Sequence, residues 1–271
     1  MTKNTQRSSV GYASTYAFLD SPLIQKIRAE VFDHDVGQHS WATVDELDGY
    51  RIDLQLDGLA RLLDFGCGPG GPLTYIVANT NITAMGIDLD SDALRLATLR
   101  AEQQGLADKI EFQQVDANRE LPFENETFDA AISVDVVMHL IDRKYAFSDI
   151  ARVLKTDGKL LLTDAGIISG QVSNEQLQRR SYNGFSQYVA DGFNESALKT
   201  AGFELLKKVE KSQSPIDICS RRLIARKRYK AELIDMLGHD AFDREQAYLE
   251  TMVELYNSGG LMRYLYFCRK V

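Results

Sequence analysis

The feature that most restricts the fold of this chain is an alternation between residues 61 and 211, where short apolar runs take turns with longer amphipathic ones. Leu62–Phe65, Thr83–Ile87, Ile110–Val115, Phe128–Val134, Lys159–Thr163 and Phe203–Val209 read as strands. Leu73–Ala78, Ser91–Gln104, Tyr145–Leu154 and Glu195–Ala201 read as helices, with Ser91 as an N-cap and Gly105 and Gly202 as stops. Strands alternating with helices imply βαβ crossovers, hence an α/β fold with a doubly wound, mostly parallel sheet covered on both faces. Ligands of such sheets bind at the carboxyl ends of the strands, near the point where strand order reverses.

Two flanks lie outside the alternation. Residues 1–60 hold Tyr12, Tyr16, Trp41 and the amphipathic stretch Leu23–Phe32. Residues 212–271 read as helices over Asp217–Leu237 and Phe242–Tyr256, a break at Gly259-Gly260, and a strand-like run Leu261–Cys268. The expected organisation is an N-terminal helical cap (1–60), a cofactor-binding core (61–211) and C-terminal helices with a last strand (212–271). The helical additions are expected to build a lid and the substrate pocket.

Composition narrows the function classes. A chain of 271 residues with 44% hydrophobic content can bury a full core without disulfide or metal staples. Its net charge of −8 argues against a nucleic-acid partner. The one basic cluster, Arg221, Arg222, Arg226, Lys227, Arg228 and Lys230, reads as a solvated helix face, with a nucleic-acid or anionic-substrate site as the alternative. Cys67, Cys219 and Cys268 are odd in number and widely spaced, which makes neither a disulfide framework nor a zinc site and suits a reducing cytoplasm. No metal site is expected. No apolar run reaches the roughly 18 residues of a membrane span, and residues 1–9 lack the apolar stretch of a signal peptide. The expected partner is a small molecule, with no membrane involved, and monomer and homo-oligomer are both open.

Three carboxylates at successive strand ends carry the chemistry. The first strand runs into Asp64-Phe65-Gly66-Cys67-Gly68-Pro69-Gly70-Gly71. Gly66, Gly68 and Gly71 satisfy GxGxxG, the dinucleotide pattern, which lets backbone approach a ligand closely. Asp64 would repel a pyrophosphate but suits a cofactor with an ammonium group and a sulfonium. Asp88 ends the second strand, where a carboxylate can accept from both ribose hydroxyls, as it also would in a nicotinamide enzyme. Asp116 ends the third strand, positioned to accept from an adenine amino group while the Ala117 N–H meets a ring nitrogen.

Taken with Phe128-Asp129 and Arg152-Val153-Leu154-Lys155-Thr156-Asp157-Gly158, this ordered set resembles the class I S-adenosylmethionine-dependent methyltransferases over about residues 60–165. The resemblance implies that Asp64 and the backbone of Gly66, Cys67 and Gly68 hold the methionine moiety, Asp88 the ribose, and Asp116 and Ala117 the adenine. It puts Val134 near the sulfonium and counts Gly70 and Leu89 among the cofactor contacts. Asp157 departs from the Pro-Gly or Gly-Gly usual in the family, with Gly158 expected to supply the permissive backbone position.

Gly37-Gln38-His39-Ser40-Trp41 resembles the Gly-Gln-Asn-Ser-Trp segment of bacterial small-molecule methyltransferases, with His39 in place of Asn. It implies Gln38 and Trp41 beside the cofactor, Trp41 closing over it. Ser133-Val134-Asp135-Val136-Val137-Met138-His139-Leu140 is similar to the active-site segment of the phosphoethanolamine and sarcosine/dimethylglycine methyltransferases. The similarity puts Asp135 and His139 at the substrate, the histidine paired with an N-terminal tyrosine, Tyr12 or Tyr16. On this reading His139, titrating near neutrality, takes a proton, while Asp135 orients a cationic amine or the histidine. The bland alternative is a His139 that only packs. Asp164, just past the fifth strand, points at the same crevice.

The expected reaction is in-line methyl transfer from S-adenosylmethionine to a nitrogen or oxygen, less readily a carbon, of a small metabolite, releasing S-adenosylhomocysteine. Two alternatives stay open: an NAD-dependent oxidoreductase, which GxGxxG and Asp88 would also serve, and a non-catalytic cofactor-binding module. The DNA amino-methyltransferase signature, Asn/Asp-Pro-Pro-Tyr after the fourth strand, is replaced here by Ser133-Val134-Asp135-Val136.

Overall fold

In the computed structural model, which describes residues 16–56, 61–182 and 184–271, the alternation closes into one eight-stranded sheet. Its strands are β1 (Arg61–Phe65), β2 (Thr83–Asp88), β3 (Ile110–Gln114), β4 (Phe128–Val134), β5 (Leu154–Ile168), β6 (Val189–Ala190), β7 (Phe203–Glu210) and β8 (Leu261–Lys270). Their order is β3-β2-β1-β4-β5-β8-β7, with β6 paired to β5. The first five are mutually parallel, while β8 runs antiparallel to both β5 and β7. Strand order reverses between β1 and β4, so the crevice opens beside Asp64 and Val134.

Alternating side chains of the central strands feed two helical layers. Leu62, Ala130 and Ile132 pack with α2 (Val44–Leu54), α3 (Gly71–Ala78) and α4 (Ser91–Gln103). Leu63, Phe65 and Ala131 pack with α5 (Arg143–Val153) and α7 (Phe193–Thr200) on the other face. Each fully buried aliphatic side chain contributes roughly 1.5–3 kcal/mol, so this double-sided burial dominates the stability of the core. A third apolar cluster joins α1 (Pro22–Val31), α8 (Gln213–Arg228), α9 (Lys230–Leu237) and α10 (His239–Asn257) with Trp41 and Met138. It forms a helical layer over the carboxyl ends of the strands, beside the short α6 (Asn174–Arg180). No helix among the described residues is long and apolar enough to cross a membrane.

Several boundaries differ from the sequence reading, each for a local reason. The N-cap of α4 is Asp90, not Ser91: its carboxylate accepts from the N–H groups of Asp92 (2.9 Å) and Ala93 (3.0 Å). The run expected as one helix over Asp217–Leu237 divides at Tyr229 into α8 and α9. β5 is far longer than Lys159–Thr163, because it also pairs with β8 along its outer half. The left-handed position in the Lys155–Gly158 turn belongs to Asp157 (φ 62°), not to Gly158. Gly158 is needed for space, since a Cβ there would stand 2.6 Å from the Lys155 carbonyl. α2 and α6 were not anticipated; α6 begins with a reciprocal capping box between Ser173 and Gln176.

Candidate active site

A cavity of about 220 Å³ opens at the strand ends and has two chemically distinct ends. Asp64, Gly66, Cys67, Gly68, Asp88, Leu89, Asp116, Ala117 and Val134 line one end, in the arrangement expected from the four strand termini. The turn is held by backbone: the Gly66 and Cys67 N–H groups both donate to the Ile87 carbonyl at 2.9 Å. Gly66 sits at φ 83°, and a Cβ there would collide with Val136 at 2.5 Å, so only glycine fits. Asp88 accepts from the Gly68 N–H (2.8 Å) and the Asp90 N–H (3.0 Å), which ties the second strand end to the first. Asp116 accepts from the backbone (3.1 Å) and side-chain amide (3.1 Å) of Asn118.

Asp64 is the electrostatic anomaly of this end. Its residue is 2% exposed, and burial, then the neighbouring Asp88 carboxylate, pushes its pKa up to about 8. No donor among the described residues satisfies it. A buried, unpaired carboxylate beside a second one is costly unless a cation joins it. The site therefore fits an ammonium-bearing cofactor and disfavours a pyrophosphate, which counts against NAD.

The other end is built from the helical layer. Trp41, Met138, His139, Arg180, Tyr182, Arg222, Glu245 and Tyr248 line it. His139 ends the 3-10 turn Val137–His139 after β4, and its Nδ1 lies 2.9 Å from the Phe185 carbonyl. A carbonyl only accepts, so Nδ1 carries the proton and Nε2 is the proton-accepting nitrogen. Burial lowers the pKa of His139 to about 4, which corrects the expectation of titration near neutrality. Phe185 is itself anchored two residues on: the Gln187 N–H donates to the Met138 carbonyl (2.6 Å), and Gln187 accepts from Arg143 at both its side chain (3.1 Å) and its carbonyl (2.6 Å).

Of the remaining expected site residues, Asp135, Trp41 and Tyr16 line the cavity, while Asp164, Gln38 and Gly70 do not. Asp135, held at φ 60°, is consumed by three donors: Arg263 Nε (2.8 Å), Thr163 Oγ1 (2.9 Å) and the Trp41 N–H (3.1 Å). Arg263 is fully buried and also binds both oxygens of Glu46 (3.0 and 2.9 Å), so Asp135 is tied into the fold at the cavity wall. Asp164 is fully buried away from the cavity, in a network with Arg143 (2.6 Å), Asn194 (2.8 Å) and the Gly166 N–H (2.9 Å). Gln38 also stands off the cavity wall: its Oε1 accepts from the Val36 N–H (2.9 Å) and closes its own turn. Gly70 caps α3 and packs against Ala97, where a Cβ would approach to 2.7 Å. Trp41 stacks on Tyr248 (6.5 Å between rings). Tyr16 lies against Gly68 and edge-on to His39 (5.4 Å), while Tyr12 is outside the described residues.

Sequence reasoning missed Tyr182, Glu245 and Tyr248, and for Arg222 it favoured the solvated face over an anionic-substrate site. The basic cluster in α8 has two faces: Arg221 and Arg228 pair with Asp33 and Glu30 at the surface, while Arg226 is 3% exposed and Arg222 faces the cavity. The i, i+4 spacing of Arg222 and Arg226 was the available signal.

Comparison with known proteins agrees with this geometry. Residues 63–162 match the methyltransferase domain family. A sterol 24-C-methyltransferase of Gibberella zeae is 33% identical over 158 residues, covering 54% of this chain but only 40% of that relative. The 27-O-demethylrifamycin SV methyltransferase of Amycolatopsis mediterranei is 28% identical over 196 residues, covering 69% of this chain and 71% of the relative. Among solved structures, the cyclopropane synthase MmaA2 of Mycobacterium tuberculosis shares the fold over 100% of this chain and 99% of its own, with a TM-score of 0.84 at 17% identity. The matched region, its strand-end carboxylates and the shared fold identify the chain as carrying a class I methyltransferase domain whose cofactor is S-adenosylmethionine.

Proposed function

We propose that this chain transfers the methyl group of S-adenosylmethionine to an O–H or N–H nucleophile of a small organic acceptor, with His139 receiving the proton. The observation that carries the reading is a single cavity with an unpaired Asp64 at one end and a tautomer-fixed His139 at the other. When bound, the cofactor supplies a methyl carbon already activated by its sulfonium. Asp64 would hold its ammonium group, Asp88 and Leu89 the ribose, and Asp116 and Ala117 the adenine. The chain contributes chiefly orientation, an effect worth roughly 7–11 kcal/mol where geometry is well matched.

His139 needs little basicity. As the new bond to the methyl carbon forms, the attacking O–H or N–H becomes strongly acidic, so an imidazole with a pKa of about 4 still accepts its proton. Phe185, held by Arg143 through Gln187, keeps Nε2 facing the acceptor. By their names, the relatives above act on a sterol carbon and a rifamycin oxygen, which supports an organic small-molecule acceptor. Three free, buried cysteines support a reducing, cytoplasmic setting.

The test is transfer of an isotope-labelled methyl group into a cell extract, with mass spectrometry of the labelled product. Labelling of a metabolite by the wild type and not by His139→Ala is the expected result. Cofactor binding with no labelled product from any extract would instead favour a binding module.

A further inference from the structure

Behind the acceptor end lies a second cavity, about 400 Å³ against about 220 Å³ for the first. The two share His39, Tyr182, Arg222 and Glu245 as common wall, so they are adjoining compartments. Beyond that wall Arg28, Arg226 and Arg244 line the second cavity, and the rest of its lining is apolar, including Ile27, Leu237 and Ala241. Protein interiors are close-packed, and an apolar void of this size beside a reaction site is room for a ligand's hydrocarbon portion.

The arginines at the junction differ in how they are neutralised. Arg226 pairs with Glu245 at 2.8 Å, and Arg28 pairs with Asp35. Arg222 and the exposed Arg244 form no ion pair with any described acid, and of these four arginines only Arg222 lines both cavities. Its guanidinium lies over the Trp41 ring (5.3 Å) and the Phe32 ring (5.7 Å), which leaves its N–H edge available while fixing its plane. A stacked, pre-oriented guanidinium is suited to bidentate recognition of an oxyanion. Its field, after burial, also holds the neighbouring His39 neutral, with a pKa near 3.

We propose that the methyl acceptor is an amphiphile spanning both compartments: its hydrocarbon arm fills the second cavity, an oxyanion on it binds Arg222, and its nucleophile reaches His139. The inference rests on the first cavity being the methyl-transfer site. The oxyanion is a carboxylate or a phosphate.

Calorimetry on the S-adenosylhomocysteine-loaded protein tests it, with decanoate, decyl phosphate, decanol and acetate as probes. Decanoate or decyl phosphate should bind, the tighter of the two naming the oxyanion, and acetate should bind at least about tenfold more weakly. Arg222→Met should weaken the anionic probe about tenfold or more and leave decanol unchanged. Leu237→Trp and, independently, Ala241→Trp should exclude all the long-chain probes while leaving S-adenosylhomocysteine affinity intact, which also certifies that each variant is folded. Acetate binding as tightly as decanoate, or long-chain binding indifferent to both tryptophans, overturns the proposal. Failure of the underlying methyl-transfer reading looks different: the wild type would not bind S-adenosylhomocysteine at all.

Discussion

The two ends of the cavity are made by different means. The cofactor end consists of backbone turns and carboxylates at the ends of β1 to β3, where Asp88 and Asp116 are pinned by partners close in sequence or on the adjoining strand and Asp64 has no donor among the described residues. Gly68 reaching Asp88, and Asn118 reaching Asp116, are examples. The acceptor end is assembled from side chains of Trp41, Tyr182, Arg222 and Tyr248, which belong to the helical layer and its loops, around His139 from the turn after β4. The first is a property of the α/β sheet itself. The second exists only once distant helices have packed, which is why the same sheet can be fitted with different acceptors.

That division can be broken by experiment. The largest effect is expected from His139→Ala, which should lower turnover about 10²–10⁴-fold while cofactor affinity by calorimetry stays put. Loss of cofactor affinity in that variant would mean the two ends are not separable. With a pKa near 4, the His139-dependent rate in the wild type should be flat above about pH 5 and fall as pH drops through 4. A break near pH 7 would assign the proton elsewhere.

Next comes Asp64→Asn, which should weaken S-adenosylmethionine binding by about 1.5–3 kcal/mol, roughly 10- to 150-fold, without touching the acceptor end. Because Asp64 has a pKa of about 8 before a cation arrives, wild-type affinity should fall with decreasing pH below 8, by up to about tenfold per unit. The variant should be flat over the same range. The cofactor-free fold should show the opposite slope. Its Asp64 holds a proton that the unfolded chain releases near pH 4, so stability declines as pH rises from about 4 to about 8. Urea unfolding at several pH values checks the sign.

Asp88→Ala should cost about 1–3 kcal/mol of cofactor affinity. Unchanged affinity would remove the ribose assignment. The smallest effect belongs to Gln38→Ala, which should lose about 0.5–1.5 kcal/mol of stability by denaturant titration, through its turn, with cofactor affinity unaltered.

What could be read in the sequence follows the same division. Asp64, Asp88 and Asp116 were legible because strand ends in a parallel sheet converge by topology, and a strand of period two followed by glycine announces itself locally. Arg222 was not, because composition describes a basic stretch as solvent-facing and says nothing of which side of α8 meets Trp41. Asp135 and Asp164 failed for a shared reason. Asp135 follows β4 and Asp164 lies within the lengthened β5, and Arg263 on β8 in one case and Arg143 on α5 in the other pairs with it. Removing one partner of such a buried pair commonly costs about 3–5 kcal/mol, so these carboxylates are committed to the fold. Sequence shows the acid and not the distant base that claims it.

Strand β8 has a consequence for how the protein is made. It lies between β5 and β7 in the sheet but leaves the ribosome after both. Until it is synthesised, β5 and β7 present unpaired edges, and Asp135 and Glu46 lack the guanidinium of Arg263. The nascent chain can complete its cofactor turn early, but it carries two carboxylates with no counter-charge and an open sheet. Synthesis arrested just before β8 should therefore yield a species that seeks chaperones, and insertion of that one strand closes the sheet and neutralises the carboxylates together.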